Sequence, residues 1–457
     1  MEYLIVVRDY DMARILNGGW LSNYLLFTDD QESPKNFHLW SGLAILGAAM
    51  KRHIWIDRKF YKIYPNLYTI MVAASAACKK STATDIGISI LESLKNVRIY
   101  HERLTTEGLI DFMAEGQPEQ LGSKIQTDSS IIIYASELAV FLSRATFAQD
   151  IIPILTSLYL GKKIWEYKTI KRGHIKVVNV SPSFLGATTP ESLAKCMPLD
   201  VFGLGFAGRI VFVVEKEVGK KIAWMSKNED LEKLLIQELD HISKLYGEMQ
   251  VSDQTKRFYK DWYDSYTPKE SHPALLGFYQ RKPDLVLKIA LILSINYNDA
   301  LTLSEHHITA AISMIEAIED NMYLAFQYTG TESAALSQEV LDFLSKRKTP
   351  MSQREIVTRF RNKIKNLDEL SSVMKILQDM GMTRSITRGT ISGYELIKTV
   401  KKVRSPLSTT DILEYMNGKN YIQPEKTEEE IPDWEITENQ QESEDGKTID
   451  KSRLGRI

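Results

Sequence analysis

The stretch Asn66-Leu67-Tyr68-Thr69-Ile70-Met71-Val72-Ala73-Ala74-Ser75-Ala76-Ala77-Cys78-Lys79-Lys80-Ser81-Thr82 decides the fold. Its apolar, partly β-branched run predicts a buried strand over 67–73. Small residues then form a loop, and Lys80-Ser81-Thr82 open a helix expected to run from about 80 to 94. A strand, a small-residue loop and a helix N-terminus in that order make a phosphate cradle. Backbone N–H groups and the positive end of the helix dipole would hold phosphate oxygens, Lys80 would reach the outer phosphates, and Ser81 would face Mg²⁺. The loop is degenerate. Matched to the P-loop pattern GxxxxGK followed by Ser or Thr, Ala74 and Lys79 stand where the two glycines belong. Both residue types resist the positive φ that glycine tolerates. An ordinary strand-to-helix turn would carry the same outline, so the rest of the chain has to decide.

Composition narrows the classes. A chain of 457 residues is long enough for two or three domains with a sizeable core. An apolar share of 44% and a charged share of 25% are those of a soluble globular protein. The longest apolar run, Leu39 to Met50, is too short to span a bilayer and is followed by Lys51-Arg52-His53. The start, Met1-Glu2-Tyr3-Leu4-Ile5-Val6-Val7-Arg8, is unlike a secretory signal. The cysteines Cys78 and Cys196 lack metal-type spacing, which argues against a disulfide framework and a structural zinc site. A cytoplasmic protein with no membrane association is expected. The formal net charge is −2, so any contact with nucleic acid must come from local patches.

The pattern along the chain predicts an α/β protein. Residues 1–60 are expected to form a helical N-terminal region, 61–227 an α/β core, and 228–330 a helical lid-like region. A further domain should span 335–404, and 420–457 should be an acidic, disordered tail. In the core, strands are expected at 67–73, at Arg98–Tyr100, at Ser130–Ala135, at Phe184–Thr188 and at Arg209–Val214, with a helix capped by Thr105 and helices over 138–160. Strands alternating with helices imply a largely parallel sheet in three layers. Lys163–Thr169 and His174–Val180 read as a hairpin around Lys171-Arg172-Gly173. From Ser337 onward the order is helix, helix, helix, then a hairpin at Arg388-Gly389, which is a winged-helix order. Leu344–Arg404 carries 15 Lys/Arg against 5 Asp/Glu, which suits a duplex DNA surface, although winged helices also dock proteins. Tyr421–Asp450 carries 11 acids against 2 lysines, the reverse bias.

Three further segments bear on chemistry. Ser130-Ile-Ile-Ile-Tyr-Ala-Ser136-Glu137 is an apolar strand ending in polar groups, as a Walker B strand does. Glu137 could polarise an attacking water. Ser136 would take the Mg²⁺-side position usually held by Asp, where a hydroxyl is a weaker partner than a carboxylate. The plain alternative is an N-cap Ser with a first-turn Glu. Phe184-Leu-Gly-Ala-Thr188-Thr189-Pro190-Glu191 ends a strand in two hydroxyls, with Thr189 placed to cap a helix that has Pro190 at its first position. Gly203-Leu-Gly-Phe-Ala-Gly208-Arg209 presents an arginine just ahead of a strand, either as a structural ion-pair partner or aimed at a phosphate.

Taken in order, these blocks resemble the helicase-like P-loop ATPase family of phages and prophages, often found beside or fused to a primase and related to superfamily-3 and AAA+ helicases. The matching blocks are Pro34–Ile54, Pro65–Leu91, Ser130–Phe141, Ile151–Tyr167, Ser183–Leu193, Asp200–Val214 and Phe278-Tyr-Gln-Arg281-Lys282 with Lys288–Leu291. They span about 34–325. The resemblance implies a three-layer, AAA+-like P-loop core that assembles as a ring, a hexamer, with ATP and Mg²⁺ between subunits. It implies phosphate binding by Lys79, Lys80, Ser81 and Thr82, and metal contact by Ser81 and Ser136. It gives Glu137 the Walker B role, Thr188 the sensor role, Arg209 the finger role and Arg281 a second, sensor-like role. The departures at Ala74, Lys79 and Ser136 bear on the rate of hydrolysis more than on the fold.

In such rings a hairpin just before the sensor strand carries its basic tip into the pore. Here Lys168, Lys171, Arg172 and His174 cluster at the turn with Trp165 and Tyr167 nearby, which suits single-stranded DNA. A surface hairpin whose lysines discourage edge pairing would look alike. The function expected is therefore an ATP-dependent DNA helicase or translocase in replication of a phage or mobile element, with a primase or another replication protein as a further partner. Two alternatives stand beside it. One is a replication initiator or helicase loader that uses ATP as an assembly switch. The other is a non-enzymatic DNA-binding or assembly protein on a decayed ATPase core.

Overall fold

The computed structural model describes residues 18–326, apart from 76–77, 102–104, 122, 143–144, 170–172, 198–204 and 270–272, and beyond them 340, 343–344, 351–361, 364, 367–379, 383–388 and 391–396. The expected acidic tail, the hairpin-tip residues Lys171 and Arg172, and the turn at Gly389 lie outside the described residues.

The protein is mixed α/β around a parallel sheet. Its five strands are β1 Tyr68–Val72, β2 Ile99–Tyr100, β3 Ile131–Ala135, β4 Pro182–Thr188 and β5 Ile210–Val214. Their spatial order is β5-β1-β4-β3-β2. All pairings are parallel, with Thr188 and Val214 both opposite Val72, and Gly186 opposite Ala135. Every residue of β1, β3, β4 and β5 is buried. That explains why these strands read as continuous apolar runs rather than alternating ones, since both faces of the sheet are covered. Because the strands are parallel, their C-terminal ends share one edge.

Helix α1 (Trp20–Phe27), helix α2 (Lys35–Met50) and helix α3 (Lys80–Glu92) precede or follow β1. Helix α2 is buried along almost its whole length, from Phe37 to Met50. It is apolar all round because neighbours surround it, and not because it crosses a membrane. Among the described residues no helix is long and apolar enough for that. Helices α4 (Leu276–Tyr297) and α5 (Glu305–Met322) pack together beyond β5. The segment expected to be helical up to residue 60 instead turns into a strand at Ile54–Asp57, paired antiparallel with Lys62–Ile63. A second hairpin, Gln117–Leu121 with Lys124–Asp128, occupies a stretch in which the sequence announced no element.

A polar hub joins these layers at the N-terminal end of β1. Asn66 donates to the carbonyls of Tyr159 and Pro182, each at 2.9 Å. Lys288, buried on α4, donates to Tyr64 O, Asn66 O and Asn66 Oδ1 at 2.9, 3.0 and 2.6 Å and lies 4.4 Å from the Tyr159 ring. Burial pushes this lysine down to about 7. Three carbonyl acceptors match the three donors of an ammonium group, which opposes that fall without reversing it. Farther along, Met351–Ser352, Ile391–Leu396 and Thr383–Arg388 form an antiparallel sheet in that order, with helices Gln353–Arg359 and Leu367–Asp379 around a separate small core that includes Ile356, Leu370, Val373 and Leu377.

Candidate active site

The C-terminal edge of the sheet brings together most of the residues expected to act on nucleotide. Helix α3 begins at Lys80 directly after the loop, and no side chain caps its N-terminus. Its first N–H groups are therefore not taken by a capping oxygen, which suits a phosphate. Cys78 and Lys79 both adopt left-handed backbone, with φ of 61° and 47°. Lys79 thus takes up, without glycine, the conformation that the second loop glycine would supply. The cost of that conformation, about 1–2 kcal/mol for a residue with a Cβ, has to be met by contacts. They are present. The Cys78 thiol donates to Glu217 O at 3.1 Å, and Ser33 Oγ donates to Lys79 O at 3.0 Å. Lys79 Nζ lies 3.1 Å from Glu32 Oε2. Cys78 is buried filler, and burial holds its thiol above the ordinary range.

Lys80 is buried and donates to the carbonyls of Ala73 at 3.0 Å and Ala74 at 3.1 Å. Burial lowers its pKa, while the nearby carboxylates of Glu137 and Glu191 oppose the fall. Ser81 is exposed at the helix mouth and Thr82 is half-buried. Glu137 follows β3 at the N-cap position of a short helix, Leu138–Phe141, but its side chain makes no capping hydrogen bond. The plain alternative of an N-cap Ser136 with Glu137 in the first turn is therefore not the arrangement found. Thr188 is fully buried at the end of β4, directly opposite Val72 of β1, and its hydroxyl donates to Thr189 O at 3.3 Å. Thr189 does cap the next helix, accepting from Ser192 N at 3.1 Å, with Pro190 at the first turn. The hydroxyls of Ser81 and Ser136 and the Glu137 carboxylate are oxygen donors of the kind Mg²⁺ takes, with a single carboxylate among them.

Arg209 and Arg281 are elsewhere. Arg209 ends a short 3₁₀ turn, Ala207–Arg209, ahead of β5, whose first residue pairs with the first residue of β1. Four residue steps, about 13 Å, separate that level from the end of β1, so the arginine sits at the N-terminal edge, away from this chain's own loop. Arg281 on α4 meets it there. The two side chains line one cleft with Tyr159, Leu160, Asp284 and Leu285. Their approach depends on two glycines: a Cβ on Gly208 would lie 2.7 Å from the Gly277 carbonyl carbon and 2.8 Å from Arg281 Nη1. Arg209 donates to Gly205 O at 2.7 Å and Arg281 to Gly277 O at 2.9 Å. Neither forms an ion pair among the described residues, and Arg209 Nε is buried without a hydrogen-bond partner there. Burial and then the like charge of Arg281 lower the pKa of Arg209. Two guanidinium groups held side by side have the donors an anion takes, although the Asp284 carboxylate lines the same cleft. The sequence showed each arginine but not their pairing, because nothing in the spacing from 209 to 281 reveals the contact between Gly208 and Gly277.

The expected hairpin is present as Ile164–Thr169 and Gly173–Val178, with Lys168 opposite His174. Its two faces differ. Trp165 and Tyr167 stack on each other at 5.8 Å and pack partly against the core, so they anchor the hairpin. Glu166, Lys168, His174 and Lys176 form the exposed face, with His174 Nε2 3.4 Å from Glu166 Oε1.

One His/Asp/Glu cluster appears among the described residues, His53 with Glu119 and Asp128. Lys51 already pairs with Glu119, and His53 Nε2 lies 3.0 Å from Glu119 Oε2. Burial alone would raise Glu119, but His53 and Lys51 outweigh it and hold the carboxyl below its usual range. The cluster is an ion-pair bolt fixing the Gln117–Asp128 hairpin to the body. The chain matches no family model and no curated protein.

Proposed function

We propose that this chain is an ATP-dependent DNA helicase or translocase of the kind used in replication of phages and mobile elements, with a P-loop, AAA+-like core assembled as a hexameric ring. The observation that carries the proposal is the meeting of the loop after β1, Lys80, Glu137 and Thr188 at one sheet edge. The strand bearing Thr188 lies between the strands bearing the loop and Glu137. Ligands of parallel α/β sheets bind along that edge. Lys79 to Thr82 and the helix N-terminus would hold the phosphates of ATP. Mg²⁺, held through Ser81 and the Ser136 side, would neutralise charge on the β- and γ-phosphates. Glu137 would accept a proton as water attacks the γ-phosphorus, and the bond to the bridging oxygen would break toward ADP. Arg209 and Arg281 face away from this chain's own loop, so they would serve the nucleotide of a neighbouring subunit in the ring. Lys168, Lys171, Arg172 and His174 would contact single-stranded DNA. The two helices and hairpin over 351–396 follow a winged-helix order, which supports a duplex contact.

Lys80→Ala should abolish binding of a fluorescent ATP analogue, whereas Glu137→Gln should bind it and lose turnover by about 10²-fold or more. Unchanged analogue binding in Lys80→Ala would remove the nucleotide site. One observation favours a second reading, that of an initiator or loader switched by ATP: Ser136 offers a hydroxyl where a motor usually has a metal-binding carboxylate. DNA-stimulated ATP turnover measured beside unwinding of a forked duplex separates the two. Absence of both activities, with DNA binding retained, would point to an assembly protein on a decayed core.

A further inference from the structure

The turn between the strands Ile54–Asp57 and Lys62–Ile63 plays no part in the proposal above. Its tip is Arg58-Lys59-Phe60-Tyr61, and Phe60 is 100% exposed. Scattered exposed apolar residues are ordinary on a protein surface. This one is held out by a rigid frame. Lys59 takes a left-handed φ of 68°, and its N–H donates to Asp57 Oδ1 at 2.7 Å. Arg58 N donates to Tyr61 O, and Phe60 N to Arg58 O, each at 2.9 Å. Tyr61 fixes one flank by donating to Asp284 Oδ1 at 3.0 Å. The backbone that presents the ring is therefore fixed.

Its surroundings are cationic and aromatic. Within the turn Arg58, Lys59 and Lys62 outnumber its one acid, Asp57, while Asp284 and Glu248 stand at its base on Tyr61 and Trp55. Lys62 Nζ lies 4.1 Å from the Trp55 ring, and the Arg58 guanidinium 5.3 Å from that of Tyr259. The turn also shares a base with the Ile164–Val178 hairpin. Arg52, two residues ahead of the first strand, donates to Gly161 O at 3.0 Å and to Asn179 Oδ1 at 3.3 Å, one residue at each foot of that hairpin.

We propose that Phe60 is a stacking platform for an unpaired base, with Arg58, Lys59 and Lys62 taking the flanking phosphates, so that the turn is a second contact for single-stranded nucleic acid. The charge argues for a polyanion. The open ring face argues for single strands, because a duplex hides its base faces. The inference rests on the nucleic-acid part of the function proposed above and not on its ATP site.

The test is fluorescence anisotropy with a labelled oligothymidylate and no nucleotide, using the full chain as wild type, Phe60→Ala, Phe60→Trp and the hairpin variant Lys168→Ala/His174→Ala. Phe60→Ala should bind about tenfold more weakly, with an unchanged melting temperature and unchanged basal ATP turnover. Phe60→Trp should bind as wild type does, with its added indole emission quenched by the oligonucleotide. Wild-type affinity in Phe60→Ala overturns the inference. If the hairpin variant alone loses affinity, the turn falls and the nucleic-acid partner stands. If the wild type itself fails to bind the oligonucleotide, both fall. If Phe60→Ala loses binding to phosphatidylserine vesicles while keeping DNA, the turn is a membrane contact and the inference is overturned.

Discussion

Two pairs of cations, one at each edge of the central sheet, are held differently. At the C-terminal edge, Lys80 donates to two loop carbonyls and Lys79 pairs with Glu32. At the N-terminal edge, Arg209 and Arg281 crowd each other with no ion pair among the described residues. The first set is satisfied as it stands, and a phosphate must outbid partners already made. The second also donates to backbone carbonyls, of Gly205 and Gly277, but its two like charges lie side by side with Asp284 in the same cleft. Tertiary contacts also account for the second missing glycine, at Lys79, whereas Ala74 at the first glycine position takes no left-handed backbone. The left-handed backbone of Lys79 is held by Glu32 and Ser33, and that of its neighbour Cys78 by Glu217.

Substitutions can break this contrast. The largest expected effect is at the arginine pair. Arg209→Ala should lower ATP turnover by about 10³-fold, as loss of an arginine finger does, while leaving analogue binding and single-strand binding unchanged. Mixing it with Glu137→Gln subunits would sharpen the contrast, because one variant supplies an intact arginine pair and the other an intact Glu137. Recovery of turnover in mixed assemblies places the arginines in trans. No recovery, with both variants assembling normally, places their function within one subunit.

A smaller effect is expected at Lys288, which braces the N-terminal edge. Lys288→Met leaves the carbonyl oxygens of Tyr64 and Asn66 buried without their donor. A loss of about 2–4 kcal/mol in denaturant unfolding is expected. The pH dependence has a definite sign. The folded-state value is pushed down to about 7, below the roughly 10.4 of an unfolded chain. Between the two the unfolded state holds the extra proton, so this group makes stability rise with pH across that window, with a slope of at most about 1.4 kcal/mol per unit. The difference between wild type and Lys288→Met should show that slope. A flat difference from pH 7 to 10 means that the three carbonyls keep the lysine charged throughout.

The smallest effect concerns the loop glycines. Changing both Ala74 and Lys79 to Gly relaxes one left-handed residue and removes the contact to Glu32. ATP-analogue binding should weaken by only a few-fold. Tighter binding would show that the degenerate loop is merely a poorer copy of the glycine-rich one.

Much of the fold was legible because its signals are local. Four buried strands announced themselves as continuous apolar runs, and Thr105 and Thr189 marked helix starts by cap chemistry that involves only three or four residues. The hairpin Gln117–Asp128 was not legible. Its strands have little apolar alternation, and ion pairing of Glu119 with Lys51 fixes it to a distant part of the chain. The strand at Ile54–Asp57 was missed too: its local pairing with Lys62–Ile63 is only two residues long, and its other partner, Gly247–Glu248, lies far along the chain.

By itself the sequence determined the parallel α/β core, the loop before Lys80 and the hairpin after Leu160. These follow from periodicity, caps and turns, which act over a few residues. Tertiary structure alone decided the strand order that sets Thr188 between the loop and Glu137, the left-handed pair at Cys78 and Lys79, and the meeting of Arg209 with Arg281. Each depends on contacts between residues far apart in the chain. Lys79 is held by Glu32 and Ser33, and the arginine pair by the approach of Gly208 to Gly277. Local propensity carries no record of such contacts, because their energy exists only once both segments are in place.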